Sequence, residues 1–416
     1  MNILKETQTL CPECLNALPG QVVERNDQVF LERTCPTHGH QSALISSSRS
    51  GYYLRHEVPH PPPDDQSSCC GPSPVHRTCL ALLEITDACN LTCEACYANS
   101  PAGVHHSMAS LLERLDRFIA SRGPLDILQL SGGEPTIHPQ FFDILDACKA
   151  RDIRHIMVNT NGIKLARDDK FAAELAKRKP NLEVYLQLDG LSSAPHQTLR
   201  GADLLSLKQK AIEAIVDTDI PTTLVCTVVD GVNTNELGEL LQLGLRIPQL
   251  RGITYQPATF TGRYELPKTL HQRSTVSDII SALDVQTQGQ FAQSDFRPLP
   301  CSDPNCCTFT FAHRPPHQKA VPIPRLMDVD EQLNELADRI HFIPEDAGGC
   351  CGGAPQKDDL FRVVVKPFMD RYTYDQDRID ECCVHIIDSE GVGRSFCEYN
   401  VLHRTNDLVK IGRRDQ

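Results

Sequence analysis

Thr86-Asp87-Ala88-Cys89-Asn90-Leu91-Thr92-Cys93-Glu94-Ala95-Cys96-Tyr97 is the stretch on which the reading turns. It follows the apolar run Leu82–Thr86, so three thiols arrive in one compact loop at the C-terminal end of a predicted strand. Cys89, Cys93 and Cys96 can supply three thiolates to a [4Fe-4S] cluster. One iron then lacks a protein ligand and can bind a substrate, whereas a four-Cys cluster is closed and only transfers electrons. The competing reading is a zinc knuckle without its fourth ligand.

The next strand, Ile127–Ser131, runs into Gly132-Gly133-Glu134-Pro135. Two glycines let a backbone approach a ligand closely, and Glu134 adds an acceptor for an ammonium group. Strand-like runs continue at Ile156–Thr160, Glu183–Leu188, Thr223–Val229 and Gly252–Gln256. Helical segments are expected between them: one presenting Leu111, Leu112, Leu115, Phe118 and Ile119 on one face, one after Pro139, then 168–178, 203–216 and 234–244. Such β-α units predict an α/β fold with parallel strands and helical crossovers, either an open doubly wound sheet or a partial barrel. In both, chemistry sits at the C-terminal strand ends.

The chain has 416 residues, enough for two or three domains. Its net charge of −13 argues against nucleic acid as the main partner, since phosphate neutralisation needs clustered Lys and Arg. No run of 18 apolar residues and no charged-then-apolar start is present, so neither a membrane span nor a secretory signal is expected. With 19 cysteines and no such signal, metal binding in a reducing cytoplasm is a better expectation than a disulfide scaffold.

Residues 1–45 read as a metal-held module. Cys11-Pro12-Glu13-Cys14 and Cys35-Pro36-Thr37-His38 form two knuckles, with a hairpin, Val22–Arg25 and Gln28–Arg33, turning at Asn26-Asp27. Cys11, Cys14, Cys35 and His38 suit Zn or Fe. Residues 46–80 read as a Pro- and Ser-rich linker carrying Cys69, Cys70 and Cys79. Residues 81–260 form the core, and 261–416 a Cys-rich C-terminal domain. In the latter, helices are expected near 274–284 and 329–340, and Cys301, Cys306, Cys307, Cys350 and Cys351 fall in loops. A closing hairpin pairs Val384–Asp388 with Val392–Phe396. A register setting Asp388 against Val392 also sets Cys383 against Cys397, beside Cys382, as a disulfide or a shared metal site.

These features resemble the radical S-adenosylmethionine (SAM) superfamily: three Cys after the first core strand, Gly-Gly-Glu-Pro after the second, and a partial (β/α)6 TIM-type barrel. The resemblance implies a [4Fe-4S] cluster whose open iron chelates SAM, and reductive cleavage to a 5′-deoxyadenosyl radical that abstracts hydrogen. It implies that Gly132, Gly133, Glu134, Asn159, Gln187, Asp189 and Arg200 contact this cofactor, with Arg200 pairing its carboxylate. Tyr97 is a further candidate, because Ala95 stands where an aromatic is often found.

His76-Arg77-Thr78-Cys79 leading into the three-Cys loop, together with Asp380-Glu381-Cys382-Cys383 and Phe396-Cys397-Glu398, resembles the multi-cluster subgroup that includes tetraether lipid synthase and a pterin-precursor methylase. Additional Fe-S clusters or mononuclear Fe or Zn are thereby implied at Cys69, Cys70, Cys79, Cys301, Cys306, Cys307, Cys350, Cys351, Cys382, Cys383 and Cys397. The expected activity is functionalisation of an unactivated carbon, by C–C bond formation or methylation of a lipid or small-molecule substrate. The expected electron donor is a flavodoxin or ferredoxin type. The alternatives are a peptide-modifying radical SAM maturase and a non-enzymatic multi-zinc scaffold.

Overall fold

Asn26 and Asp27 both adopt positive φ, at 51° and 63°. Such a two-residue turn matches the twist of paired strands. It joins β2 (Ala17–Arg25) to β3 (Gln28–Cys35) with Arg25 opposite Gln28, as the hairpin reading expects. Two strands that alternation did not reveal complete a four-stranded antiparallel sheet in the order β1-β2-β3-β4: β1 (Asn2–Leu10) and β4 (Gly39–Ser46). Both carry mostly polar or half-exposed residues, which leaves a weak period-2 signal. The computed structural model describes residues 2–58, 78–100, 103–264, 273–329 and 359–404. Cys69, Cys70, Cys350 and Cys351 lie outside them, as does the helix expected near 329–340 apart from its first residue.

The core consists of six strands joined by five helical crossovers. Its strands are β5 (Leu80–Thr86), β6 (Leu125–Gly132), β7 (Ile153–Thr160), β8 (Leu182–Gln187), β9 (Thr222–Val228) and β10 (Leu250–Pro257). Between them run α1 (Met108–Arg122), α2 (Phe141–Lys149), α3 (Ile163–Arg167), α4 (Asp169–Ala176), α5 (Ser193–Arg200), α6 (Leu205–Thr218) and α7 (Leu237–Arg246). The strands pair in parallel and in sequence order, without the reversal of a doubly wound sheet. Sequential winding is that of a barrel, so the partial-barrel alternative is the one adopted.

Burial follows the pleat. In β5 every residue is buried, as in a parallel sheet covered on both faces. Ala81, Leu83 and Ile85 join Leu111, Leu115 and Phe118 of α1 in the layer between sheet and helices. Leu80 and Leu82 point to the opposite, interior face with Met157.

The chain after residue 260 adds to this same sheet at both ends. Following α8 (Val276–Gln286) come β11 (Arg297–Pro298), β12 (Thr308–His313), β13 (Val321–Pro322), β14 (Leu360–Val365), α9 (Gln376–Asp380), β15 (Val384–Ile387) and β16 (Gly393–Ser395). Strand β14 pairs in parallel with β10, and β15 in parallel with β5, extending the parallel run to eight. The final hairpin keeps the expected register, with His385 opposite Ser395 and Ile387 opposite Gly393. The ribbon docks on the C-terminal segment: Thr9 Oγ1 donates to the Tyr374 carbonyl and Arg33 Nη1 to the Tyr372 carbonyl.

Candidate active site and metal centres

The three-Cys loop is held by backbone from two directions. Gly133 N donates to Thr86 O and Glu134 N to Ala88 O, each at 2.8 Å. A Cβ on Gly132, whose φ is +120°, would lie 2.2 Å from Thr86 O; one on Gly133 would lie 2.1 Å from Ala88 O. The glycines therefore let the β6 loop approach the chain's own Cys loop, where the sequence suggested an approach to a ligand. From the other side, Arg263 N donates to Cys96 O at 3.0 Å, and a Cβ on Gly262 would stand 2.2 Å from that oxygen. Sequence reasoning missed this second support, since a lone Thr-Gly-Arg carries no motif.

Glu134 is buried and its carboxylate is fully engaged. Oε1 accepts from Thr136 N (3.1 Å), Thr136 Oγ1 (2.6 Å) and Thr160 Oγ1 (2.7 Å), and Oε2 accepts from Asn161 N at 2.7 Å. Burial pushes its pKa up against these four donors. The side chain thus ties the β6 and β7 loops together, and Asn161 Nδ2 extends the tie to Asn90 Oδ1 in the Cys loop at 2.7 Å. Asn159 donates to Ser131 Oγ at 3.3 Å.

Strand β8 ends toward a buried ion pair. Asp189 accepts from Arg200 Nε at 2.7 Å and from Nη2 at 2.8 Å, and also from Thr227 N at 3.0 Å. Arg200 closes α5, a helix absent from the sequence reading because Pro195 and the Ser pair before it look like a loop. Its Nη2 also donates to Thr227 Oγ1 at 2.9 Å, and its positive charge acts on Cys93. The Gln187 amide, with its oxygen turned to the guanidinium, accepts from Arg200 Nη1 at 3.0 Å. Burial raises the Cys93 pKa while Arg200 opposes the rise; Cys89, without that cation, is pushed up by burial to about 12.

Glu134, Asn159, Asn161, Gln187 and Arg200 line one cavity of about 200 Å³, with Cys89, Cys93 and Cys96 on its wall; Asp189, a predicted cofactor contact, lies behind Arg200 and is not part of the lining. Tyr97 also faces it, its ring 5.4 Å from that of Phe396 and 5.6 Å from the Arg404 guanidinium. Met157, Tyr185 and Phe368 add apolar wall, and Cys307 and Lys366 line it too.

The cysteines sort by spacing. In the ribbon, His38 Nδ1 lies 3.3 Å from Cys11 Sγ and 3.5 Å from Cys35 Sγ, and Cys14 Sγ is 4.0 Å from Cys35 Sγ. A tetrahedral zinc with bonds of about 2.3 Å to sulfur and about 2.0 Å to nitrogen has edges of about 3.5–3.8 Å, so the four residues fit one ion. Cys79, Cys301 and Cys383 form a second such group, with Sγ separations of 3.6 and 3.8 Å along Cys79–Cys301–Cys383. Among the described residues, these two are the groups whose ligand atoms all fall within 4.8 Å of one another. Cys89, Cys93 and Cys96 are not such a group: their sulfurs do not all fall within 4.8 Å of one another, wider than three sulfurs stand on one zinc.

The large candidate set therefore divides. Cys383 turns to Cys79 and Cys301 rather than to Cys397, although the hairpin register is the expected one; its backbone carbonyl accepts from Cys79 N at 2.9 Å. Cys397 Sγ instead accepts from Met369 N at 3.2 Å. Cys306 Sγ accepts from Arg378 Nε at 3.4 Å, and Cys382 Sγ faces the Val384 carbonyl at 3.2 Å. All described cysteines are free thiols, so the disulfide alternative is not realised. Among the described residues no helix is long and apolar enough to cross a membrane.

Comparison with known proteins agrees with this arrangement. Residues 83–244 match the radical SAM superfamily, and residues 3–47 match the HMPTM N-terminal zinc ribbon domain. The 7,8-dihydro-6-hydroxymethylpterin dimethyltransferase of Methanocaldococcus jannaschii is 28% identical, over 96% of this chain and 94% of that one. Among solved structures, Streptococcus suis SuiB bound to precursor peptide SuiA is 19% identical with a TM-score of 0.42, covering 51% of this chain and 47% of that one. This chain thus spans about half the length of SuiB. A radical SAM methyltransferase from Sphaerobacter thermophilus is 15% identical with a TM-score of 0.39, covering 66% and 75%. Cysteine loop, barrel winding and family match converge: the chain is a radical SAM enzyme, with a [4Fe-4S] cluster and SAM as cofactors, a zinc ribbon before its barrel and a further cysteine group after it.

Proposed function

We propose that this enzyme methylates carbon on a small heteroaromatic molecule of the dihydropterin class, in the cytoplasm, with a flavodoxin- or ferredoxin-type protein as electron donor. The observation that carries this reading is the end-to-end similarity to the pterin dimethyltransferase, which spans ribbon, barrel and C-terminal segment alike. The composition of the cavity is in keeping with it. Tyr97, Tyr185 and Phe368 offer ring faces to a flat substrate, and Gln129, Thr254 and Gln256 offer hydrogen bonds to its edge.

In this proposal Cys89, Cys93 and Cys96 hold the cluster, which together with SAM supplies the one-electron chemistry that opens an unactivated C–H bond. The protein's own part is placement. Gly132, Gly133 and Glu134 fix the Cys loop against β6 through backbone bonds, and Glu134, having spent its carboxylate on the β6 and β7 loops, presents the cofactor with backbone. Asp189 and Gln187 orient Arg200 beside Cys93, where the guanidinium meets negative charge on the cluster side of the cavity. Asn159 ends its strand on the same wall. Tyr97, Phe368 and Phe396 exclude water from the space where a reactive carbon is handled.

The test is an anaerobic assay of the iron-loaded enzyme with a chemical reductant, SAM bearing a deuterated methyl group, and 7,8-dihydro-6-hydroxymethylpterin. The expected result is 5′-deoxyadenosine together with a pterin carrying the labelled methyl group. Deoxyadenosine without labelled pterin would remove the substrate and keep the chemistry. A modified peptide in cell extract instead of a methylated small molecule would favour the maturase reading.

A further inference from the structure

Lys208 lies on the buried face of α6 with Ala211 and Ile215, and only 2% of its surface is exposed. It stands behind the cavity wall rather than on it, and its Nζ donates to the carbonyl of Asn161, a lining residue, at 2.6 Å. Among the described residues no carboxylate lies within ion-pair distance of this amine. Glu134 is its counterpart, a buried carboxylate whose hydrogen bonds all come from neutral donors.

An ammonium inside a protein is costly unless opposite charge is near. Burial lowers the Lys208 pKa to about 8, against the pull of Asp189 and Glu134, so the amine is still charged at neutral pH. Asp189 is already taken up by Arg200. The carboxylate left to Lys208 is that of Glu134, and the two meet through one residue. Glu134 Oε2 accepts from Asn161 N at 2.7 Å while Lys208 Nζ holds Asn161 O. Asn161 thus bridges a separated ion pair with its own backbone, and both bonds are charge-assisted. Its side chain carries the grip onward: Oδ1 accepts from Ile163 N at 3.0 Å, and Nδ2 donates to Asn90 Oδ1 at 2.7 Å. Asn90 directly follows Cys89.

Building on the reading of Cys89, Cys93 and Cys96 as cluster ligands, we infer that Lys208 is a positioning residue that completes a Glu134–Asn161–Lys208 bridge and, through Asn90, holds the Cys loop in the geometry that binds SAM. Without the ammonium, the Asn161 carbonyl loses its donor and the turn is gripped from one side only. Asn90 then has a looser partner, and the loop that carries Cys89 and Cys93 gains freedom.

The experiment compares the full chain, loaded anaerobically with iron, as wild type, Lys208→Met, Asn90→Ala and the double variant. KM and kcat are measured for reductive cleavage of SAM to 5′-deoxyadenosine, together with amide exchange across residues 89–93. Lys208→Met should raise KM for SAM by about tenfold, the weight of one hydrogen bond to a charged group, with kcat little changed. It should also speed exchange across 89–93. Asn90→Ala should do the same, and the double variant should be no worse than either single change. Additive effects on KM, or an unchanged KM and unchanged exchange in Lys208→Met, overturn the inference. If Lys208→Met does not fold, Asn90→Ala and Lys208→Arg decide: KM raised in the first and near wild type in the second supports the bridge, and any other result overturns it. Wild type that forms no 5′-deoxyadenosine would instead remove the cluster reading. Exchange across 89–93 then judges the bridge alone, since it reports on the loop with or without iron.

Discussion

Arg404 reaches back 320 residues to Glu84 and holds it with two hydrogen bonds, Nη1 to Oε2 at 3.0 Å and Nη2 to Oε1 at 2.8 Å. Glu84 sits on β5, and Arg404 also covers the Tyr97 ring at 5.6 Å, so the end of the described chain fastens onto the strand that feeds the Cys loop. Removing one partner leaves a buried charge unpaired, which costs about 3–5 kcal/mol. Glu84→Gln should lower the denaturant midpoint by that order and loosen Tyr97. Arg404→Met, which strands the carboxylate, should do the same. A double variant that is less destabilised than either single change is the signature of a true pair; simple additivity would disprove it.

The Cys-x3-Cys-x2-Cys loop, the six core strands and the ribbon's four ligands were legible because each rests on local spacing or on a long apolar run. Strand order was half legible: alternation gives parallel strands, but only the paired register separates barrel from doubly wound sheet. What the sequence hid is non-local. Leu360–Val365 carries no strand expectation in the sequence and Val384–Asp388 reads only as half of a closing hairpin, yet both segments hydrogen-bond to opposite ends of the core sheet. Glu134 looked like a free acceptor, since nothing in Gly-Gly-Glu-Pro tells that Thr136, Thr160 and Asn161 will converge on it.

Gly133→Ala tests whether the Gly-Gly pair serves loop packing. A Cβ 2.1 Å from Ala88 O meets backbone, which cannot move aside without displacing Cys89. The purified variant should lose the absorption of the three-Cys cluster and form no 5′-deoxyadenosine, while the ribbon keeps its metal. Cys89→Ala, Cys93→Ala and Cys96→Ala should each match that loss. Normal cluster absorption in Gly133→Ala would show that the loop has more freedom than the contact allows.

Cys79 and Cys383 precede β5 and β15 at one end of the sheet, whereas Cys301 lies between β11 and β12 at the other. Metal shared by the three therefore staples the two ends together. Cys383→Ala should lower iron content and speed amide exchange in both β15 and β12, leaving β7 and β8 protected. Cys397→Ala, whose sulfur serves the Met369 N–H, should leave the staple intact. Faster exchange at one end only would argue against a shared metal.

Removing metal from the ribbon should act locally. Backbone donors at Cys14 and Glu13 outweigh burial and lower the Cys11 pKa to about 6, and His38 Nδ1 faces both Cys11 and Cys35. The site should therefore hold zinc at neutral pH and lose it as acid protonates the thiolates, and stripping the zinc with excess chelator should make the amides of β1–β4 exchange faster. Strands β5–β10 should not respond, because the ribbon meets the rest of the chain through contacts such as Lys5–Asp375 and Arg33–Tyr372. A cooperative loss of the whole fold on chelation would contradict this independence.

His196 supplies a pH dependence with a definite sign. It sits one turn before Arg200, fully buried, with Nε2 donating to the Gly190 carbonyl at 3.1 Å. Burial lowers its pKa below the ordinary 6.5, with Asp189 partly opposing. As pH falls through 6.5, the unfolded chain takes up a proton that the native ring resists, so the native state loses stability on acidification, by at most about 1.4 kcal/mol per pH unit for one group. The loss ends only below the folded pKa. His196→Gln keeps a donor for Gly190 and removes the titration. Denaturant midpoints measured between pH 7.5 and 5 should fall less steeply for this variant than for wild type, and parallel slopes would mean that His196 does not bear the acid sensitivity.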